Sequence, residues 1–273
     1  MVQRTTTAIG LIAFLMVLMY FGGAVMGIAA MVCICFAVHE EYHALSLAGH
    51  RPVAWPTWVG MAVSVPLVVI FDTSVIIPVV MAVCLLTLMC VVFRAEPKLE
   101  DALMSVLPLF TVVLPGMCIV GVAMVQPKAL QVVLLSLLFV IPVLCDTLAF
   151  FVGSRVRGPK LCPLVSPNKT ISGAIGGMAG ALIGTLAIAL IANWCCDPAT
   201  EALLPSWWEY LLLGLIGGVA GQMGDLFASM VKRHCGVKDF SNLFPGHGGM
   251  LDRLDSILFM AVVMFCYRLL TMA

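Results

Sequence analysis

The sequence predicts an all-α polytopic membrane protein with about nine transmembrane helices and a polar site that faces the cytoplasm. Of its 273 residues, 62% are hydrophobic and 10% are charged, whereas a typical soluble domain is about 45–50% apolar and about 25% charged. The apolar runs approach the length of about 20 residues that a helix needs to cross a bilayer. These observations exclude a soluble globular protein, and the net charge of zero gives no indication of a nucleic-acid partner.

Pro, Gly and charged residues divide the apolar sequence into nine predicted spans. We expect them at residues 7–22, 24–46, 54–71, 73–93, 102–124, 129–151, 173–193, 208–231 and 253–271. Two longer polar connections occur, at residues 153–172 and 232–252. We therefore divide the chain into residues 1–128, a generic scaffold of transmembrane helices, and residues 129–273, which carry the polar motifs.

Basic residues predict the orientation of these spans. With nine spans, the N-terminus and every even-numbered connection lie on one side of the membrane. That side holds every Lys and Arg of the chain except Lys128 and Arg268. Because Lys and Arg accumulate in cytoplasmic loops, we expect both polar connections to face the cytoplasm.

Two carboxylates lie inside predicted spans, close to the polar connections. Asp146 belongs to the sixth predicted span, just before the first polar connection, and Asp225 follows the segment Gly221-Gln-Met-Gly. Ionisable groups in a membrane are costly and are by default candidates for function. We therefore expect both to belong to a functional site.

The densest polar stretch runs from residue 229 to residue 255. Its carboxylates are hard oxygen ligands of the kind that suits Mg²⁺, and its Lys and Arg side chains suit phosphate. Its glycines leave backbone N–H groups open to an anion. In the other polar connection, Ser166, Lys169 and Thr170 precede a Gly-rich span whose capped N-terminus would also receive a phosphate. Together these features predict phosphoryl or nucleotidyl transfer.

Two other readings remain open at this point. The segment from His39 to His43 has the form HExxH, which on a helix places two imidazoles on one face with a Glu as general base. It would indicate an intramembrane zinc metalloprotease. The intramembrane Asp residues would alternatively mark the ion pathway of a polytopic transporter.

The polar motifs resemble a known family, the phosphatidate cytidylyltransferases, also called CDP-diacylglycerol synthases. The resemblance rests on Ser229-x-Val-Lys-Arg, on Lys238-Asp239 and on Pro245-Gly-His-Gly-Gly-Met-Leu-Asp-Arg-Leu-Asp255. The segments around Asp146, Ser166 and Asp225, which precede these motifs in the chain, resemble the other motifs of the family and occur in the same order. The sequence departs from the usual family pattern at four positions: Leu148, Asn168, Ser172 and Ala228.

The resemblance implies Mg²⁺-dependent transfer of CMP from CTP to phosphatidic acid, giving CDP-diacylglycerol and pyrophosphate. The implied metal ligands are Asp225 and Asp252. The implied catalytic residues are Lys232, Arg233, Lys238, Asp239, His247, Arg253 and Asp255. The implied substrate-binding residues are Asp146, Ser166, Lys169, Thr170, Ser229, Gly248 and Gly249.

The partners that follow from this resemblance are CTP, phosphatidic acid and membrane lipids, with no nucleic acid. We expect the protein to be an integral protein of a bacterial inner membrane. A second cation beside Mg²⁺ and assembly as a homodimer are left open.

Overall fold

The computed structural model of the chain describes residues 2–244, 246 and 248–271, and most of these residues are helical. The helices, in chain order, are α1 (Val2–Phe21), α2 (Gly23–Leu47), α3 (Trp55–Phe71), α4 (Ile76–Val92), α5 (Leu99–Pro108), α6 (Leu114–Ala123), α7 (Lys128–Val156), α8 (Ile171–Cys195), α9 (Pro198–Glu201), α10 (Trp207–His234) and α11 (Leu251–Thr271). A 3₁₀ turn at Thr73–Val75 precedes α4, and a π-helical segment at Leu109–Val113 joins α5 to α6.

Among the residues that the structure describes, seven helical segments are long and apolar enough to cross a membrane. They are Gly23–Leu47, Thr73–Val92, Leu99–Ala123, Lys128–Val156, Ile171–Cys195, Trp207–His234 and Leu251–Thr271. The predicted class, an all-α polytopic membrane protein, is therefore confirmed. Helices α1 and α3 coincide with the predicted spans at residues 7–22 and 54–71 but are not among the seven, so the count of nine stays a prediction.

The first polar connection contains a β-hairpin that the sequence did not lead us to expect. Strand β1 (Lys160–Cys162) pairs antiparallel with β2 (Ser166–Thr170), so that Lys160 lies opposite Thr170 and Cys162 opposite Ser166. Strand β2 runs directly into α8, and the Thr170 hydroxyl accepts the Gly173 N–H at 3.1 Å. Thr170 therefore caps α8, as an N-cap threonine should, and ties the hairpin to the helix bundle.

Glycines let the helices of the C-terminal half approach one another closely. Helices α7 and α8 form the most extensive contact, and α10 packs against both α8 and α11. A Cβ atom at Gly177 would lie 3.0 Å from the Cys145 carbonyl oxygen, and one at Gly180 would overlap the Leu144 carbonyl oxygen and lie 3.0 Å from its carbon. The surface of α8 thus touches the backbone of α7, the packing that small residues permit in membrane bundles.

Helix α11 joins the two halves of the chain, because it packs against α6 and α2 as well as against α10 and α7. Its buried side chains include Leu258, Met260, Ala261, Met264 and Phe265. The start of α11 is consequently held between elements from both halves of the sequence.

We expect Gly180→Ala to destabilise the protein by about 1–3 kcal/mol, because the backbone atoms of Leu144 cannot yield to a methyl group without separating α7 from α8. Thermal unfolding in detergent micelles measures the change. Gly10→Ala is the matched control, since a Cβ at Gly10 in α1 has no neighbouring atom within 4 Å. Equal melting temperatures for both variants would contradict this account of the packing.

Candidate active site

A cavity of about 590 Å³ opens at the end of the bundle where α7 and α10 end and α8 and α11 begin. Both polar connections contribute to its wall, because the hairpin covers one side and the segment after α10 covers another. Nine of the residues predicted from the sequence line it: Asp146, Lys169, Thr170, Asp225, Lys232, Asp239, Asp252, Arg253 and Asp255. The fold therefore brings together side chains that are more than 100 residues apart in the sequence.

Two ion pairs cross the cavity wall. Lys169 of β2 pairs with Asp225 of α10, and the Lys232 ammonium donates to Asp252 Oδ1 at 2.7 Å. The Lys232–Asp252 pair is the more buried, with 3% of the Asp252 side chain exposed. Each pair fixes two elements relative to each other, β2 to α10 and α10 to α11.

The second oxygen of Asp252 organises the glycine-rich turn before α11. Asp252 Oδ2 accepts the N–H groups of Phe240 and Gly249, both at 2.9 Å. Gly248, at φ +82°, has a backbone conformation that favours glycine, and a Cβ there would meet Asp252 Oδ2 at 2.8 Å. The Gly249 N–H that we expected to be open to a phosphate thus donates to a side chain of the protein.

Carboxylates outnumber cations in the wall. Among the lining residues that the structure describes, five Asp face three basic side chains, Lys169, Lys232 and Arg253. Asp146 accepts a hydrogen bond from the Ser256 hydroxyl at 3.3 Å, which places α7 against α11 beside the charged cluster. An excess of carboxylate oxygens in a partly enclosed site favours a bound cation.

The donor set fits Mg²⁺. In the described part of the chain no group of three or more His, Cys, Asp and Glu side chains is arranged as an all-protein metal site. Mg²⁺ does not require one, because it is usually held by one or two carboxylates with water and substrate phosphate filling the other positions. Asp225 and Asp252 both line the cavity and each has a lysine partner. Their assignment as metal ligands stays a prediction.

Several predicted residues lie away from the cavity. Arg233 and Lys238 are exposed, Ser166 and Ser229 are half-buried, and none of these four lines the wall. Gly248 and Gly249 form the turn behind Asp252 and likewise do not line it. His247 lies outside the described residues. Contact with the cavity therefore gives no support for the roles of the six described residues, and all seven roles stay predictions.

Other lining residues were not predicted from the sequence. Asn168 and Ser154 face the cavity, and so does Gln222, whose side-chain amide donates to the Ala174 carbonyl at 3.1 Å. Gln222 lies one turn before Asp225 on α10, and a polar amide within an apolar span is the signal that would have identified it. Asn168 is a position at which the sequence departs from the usual family pattern.

One part of the cavity wall is apolar and open to the surroundings of the bundle. Ala149, Phe150, Leu161 and Ala174 form it. The Phe150 side chain lies on α7 beside Asp146, and Phe150 is 70% exposed. The cavity thus combines a charged interior with an apolar wall that reaches the outer surface of the helix bundle.

The HExxH segment does not form a metalloprotease site. His39 and His43 are exposed on α2, with parallel rings whose centroids are 6.3 Å apart. Glu40 and Glu41 on the same helix are buried. Glu41 accepts a hydrogen bond from the Thr111 hydroxyl at 2.7 Å, and Glu40 binds the segment before α11. Glu40, the glutamate that would act as general base, is therefore buried and already hydrogen-bonded to another part of the chain, whereas the two imidazoles are exposed.

The sequence is similar to those of known proteins. A sequence model described as the Cytidylyltransferase family matches residues 2–271. The phosphatidate cytidylyltransferase of Bacillus subtilis (strain 168) is 45% identical over 128 residues, which are 46% of this chain and 43% of the relative. That of Brucella abortus biovar 1 (strain 9-941) is 42% identical over 122 residues, 45% of this chain and 42% of the relative.

A third relative of the same name, from Staphylococcus aureus (strain COL), is 43% identical over 121 residues, 44% of this chain and 43% of the relative. The chain thus spans somewhat less than half the length of the curated relatives it matches. The match to the family itself extends over nearly all of the chain, and the protein belongs to the Cytidylyltransferase family.

Proposed function

We propose that this protein is a phosphatidate cytidylyltransferase, which transfers CMP from CTP to phosphatidic acid and releases pyrophosphate. The observation that carries the proposal is the composition of the cavity. Carboxylates and lysines suited to a metal–triphosphate complex line its interior, and the exposed Phe150 lines its lipid-facing wall. A nucleotide and a lipid headgroup would meet in such a site.

The lysines would bind the triphosphate. Lys169 and Lys232 now neutralise Asp225 and Asp252. Arrival of the nucleotide together with a cation offers each lysine a phosphate oxygen and each carboxylate a positive partner. This exchange leaves no charge buried without a partner, which would be costly in a partly enclosed site. Arg253 at the start of α11 adds a planar donor suited to two phosphate oxygens.

Asp225 and Asp252 would hold Mg²⁺, which supplies charge neutralisation for the triphosphate and the departing pyrophosphate. A phosphate oxygen of phosphatidic acid attacks the α-phosphorus of CTP in line, and the bond from that phosphorus to the pyrophosphate breaks. The attacking oxygen is already anionic, so the reaction requires no strong general base. Positioning and electrostatics would therefore account for most of the rate enhancement.

The proposed topology places this site at the cytoplasmic surface. Seven apolar segments make the chain an integral membrane protein. With α1 and α3 as two further spans, the positive-inside rule puts both polar connections in the cytoplasm. CTP would reach the cavity from the cytoplasm of a bacterial cell, while phosphatidic acid would enter sideways from the inner leaflet along Phe150.

Asp225→Asn and Asp252→Asn should each lower the rate of CMP transfer about 10²-fold or more, because both remove a carboxylate from the charged cluster. The assay is conversion of labelled CTP into organic-extractable lipid by full-length protein in micelles with phosphatidic acid and Mg²⁺. Asp197→Asn, at the exposed start of α9, should leave the rate unchanged. EDTA should abolish the reaction and added Mg²⁺ restore it. Full activity of both cavity variants would refute the metal assignment, and absence of lipid product from the parent protein would refute the function.

Lys169→Gln should raise the KM for CTP about tenfold or more, since a charge-assisted contact to the triphosphate is lost. Steady-state kinetics with varied CTP give this constant. Lys160→Gln is the matched control, because Lys160 lies on the same hairpin but is exposed and does not line the cavity. Equal KM values for the two variants would remove Lys169 from nucleotide binding.

His39→Ala and His43→Ala should retain CMP transfer within about twofold, because both imidazoles point away from the buried side of α2. The labelled-CTP assay measures the activity, and metal analysis of the purified protein measures zinc. Loss of activity together with loss of bound zinc would instead favour the metalloprotease reading.

A further inference from the structure

A buried carboxylate of α2 binds the segment that precedes α11. Glu40 Oε1 accepts the Ser241 hydroxyl at 2.6 Å and the Met250 N–H at 2.9 Å, while Oε2 accepts the Leu251 N–H at 2.8 Å. Glu40 is 5% exposed, and its partners lie 201 to 211 residues further along the chain. One side chain from the N-terminal half therefore holds both ends of the turn at residues 241–251.

The partners of Glu40 explain why a carboxylate is stable at this buried position. The first N–H groups of a helix have no acceptor within the helix and lie at the positive end of its dipole. Glu40 satisfies the N–H groups of Met250 and Leu251, and Asp252 satisfies that of Gly249. Two carboxylates from opposite halves of the sequence thus bind three consecutive amides at the start of α11.

Gly249 permits this contact because it has no side chain. A Cβ at Gly249 would lie 2.5 Å from Glu40 Oε2 and 2.6 Å from Oε1, so any side chain there would displace the carboxylate. The absence of a side chain at Gly249 therefore allows Glu40 to approach the turn. The Gly249 N–H already donates to Asp252.

The residues whose N–H groups Glu40 binds immediately precede two residues that line the cavity. Asp252 and Arg253, which line it, follow Leu251 in the first turn of α11. Asp252 in turn orients Lys232 through their ion pair. We propose that Glu40 is a positioning residue that fixes the first turn of α11, and with it Asp252, Arg253 and Lys232, in the geometry required for transfer.

This inference rests on the proposed cytidylyl transfer, and its test uses the full-length protein in micelles. Glu40→Gln keeps the size of the side chain but places an amide N–H against a backbone N–H. We expect kcat for CMP transfer to fall about tenfold or more, with the KM for CTP changed less than threefold. Hydrogen–deuterium exchange should accelerate at residues 249–252 alone, and the melting temperature should stay within a few degrees of the parent value.

Glu41→Gln is the matched control, because the neighbouring buried carboxylate binds Thr111 rather than the turn. It should keep kcat within threefold of the parent protein. Ser241→Ala removes one of the three contacts of Glu40 and leaves both backbone contacts. Its smaller loss of kcat, about threefold, tests the same proposal if Glu40→Gln fails to fold.

A double-mutant cycle with Gly249→Ala separates this proposal from direct binding of substrate by Gly249. In the parent protein the added methyl group displaces Glu40, and kcat should fall about tenfold. In Glu40→Ala the space is empty, and the same change should cost less than threefold. Equal losses in the two backgrounds would mean that Gly249 acts without Glu40 and would overturn the proposal.

Two further results would overturn it. One is a parent-like kcat in Glu40→Gln. The other is a fall in kcat accompanied by faster exchange throughout the protein and a lower melting temperature, which would make Glu40 a residue of general stability. An inactive parent protein would refute the proposed function instead, and the local change in exchange would still report whether Glu40 holds the turn.

Discussion

Asp252 lies where α10, α11 and the segment between them meet, and its carboxylate forms three contacts that no other described residue of the cavity combines. One oxygen binds the Lys232 ammonium, and the other binds two backbone N–H groups, that of Phe240 before the glycine-rich turn and that of Gly249 within it. In an apolar bundle such a charge is tolerated only when every part of it is paired. That requirement accounts for the positions of the Phe240 and Gly249 N–H groups, for the glycine at position 248 and for the direction in which Lys232 points.

The close approach of the helices gives these polar contacts their geometry. Because glycines of α8 lie against the backbone of α7, Asp146 and the hairpin residue Lys169 line one cavity, although the end of α7 and strand β1 separate them in the sequence. Helix α10 completes the wall through Asp225 and Gln222. Small residues therefore determine the width of the site, while the charged residues determine what it attracts.

Much of this site could be predicted from the sequence, since charges are scarce in the chain and Asp146, Asp225 and Lys232 each stand out against apolar surroundings. The length and composition of the spans likewise predicted the helical class. The hairpin at β1 and β2 could not be predicted from hydropathy, because its short strands carry neither alternation nor β-branched runs. The contact of Glu40 with the turn before α11 was also missed, because it joins residues about 200 positions apart and its local sequence is typical of a zinc motif. Pairings between distant residues depend on how helices pack, which no local pattern records.

Phe150 gives the cavity an apolar side at the outer surface of the helix bundle, along which the proposed lipid substrate would enter. For a headgroup that arrives along this side, diffusion is confined to two dimensions, and the concentration that governs encounter is the mole fraction of that lipid in the leaflet. Dilution of the surrounding solution would not change it, whereas added neutral lipid or detergent would. The encounter rate of the proposed water-soluble substrate, CTP, would instead depend on its ordinary bulk concentration. A single cavity would thus respond to two different measures of supply, one set by the cytosol and one by the composition of the bilayer.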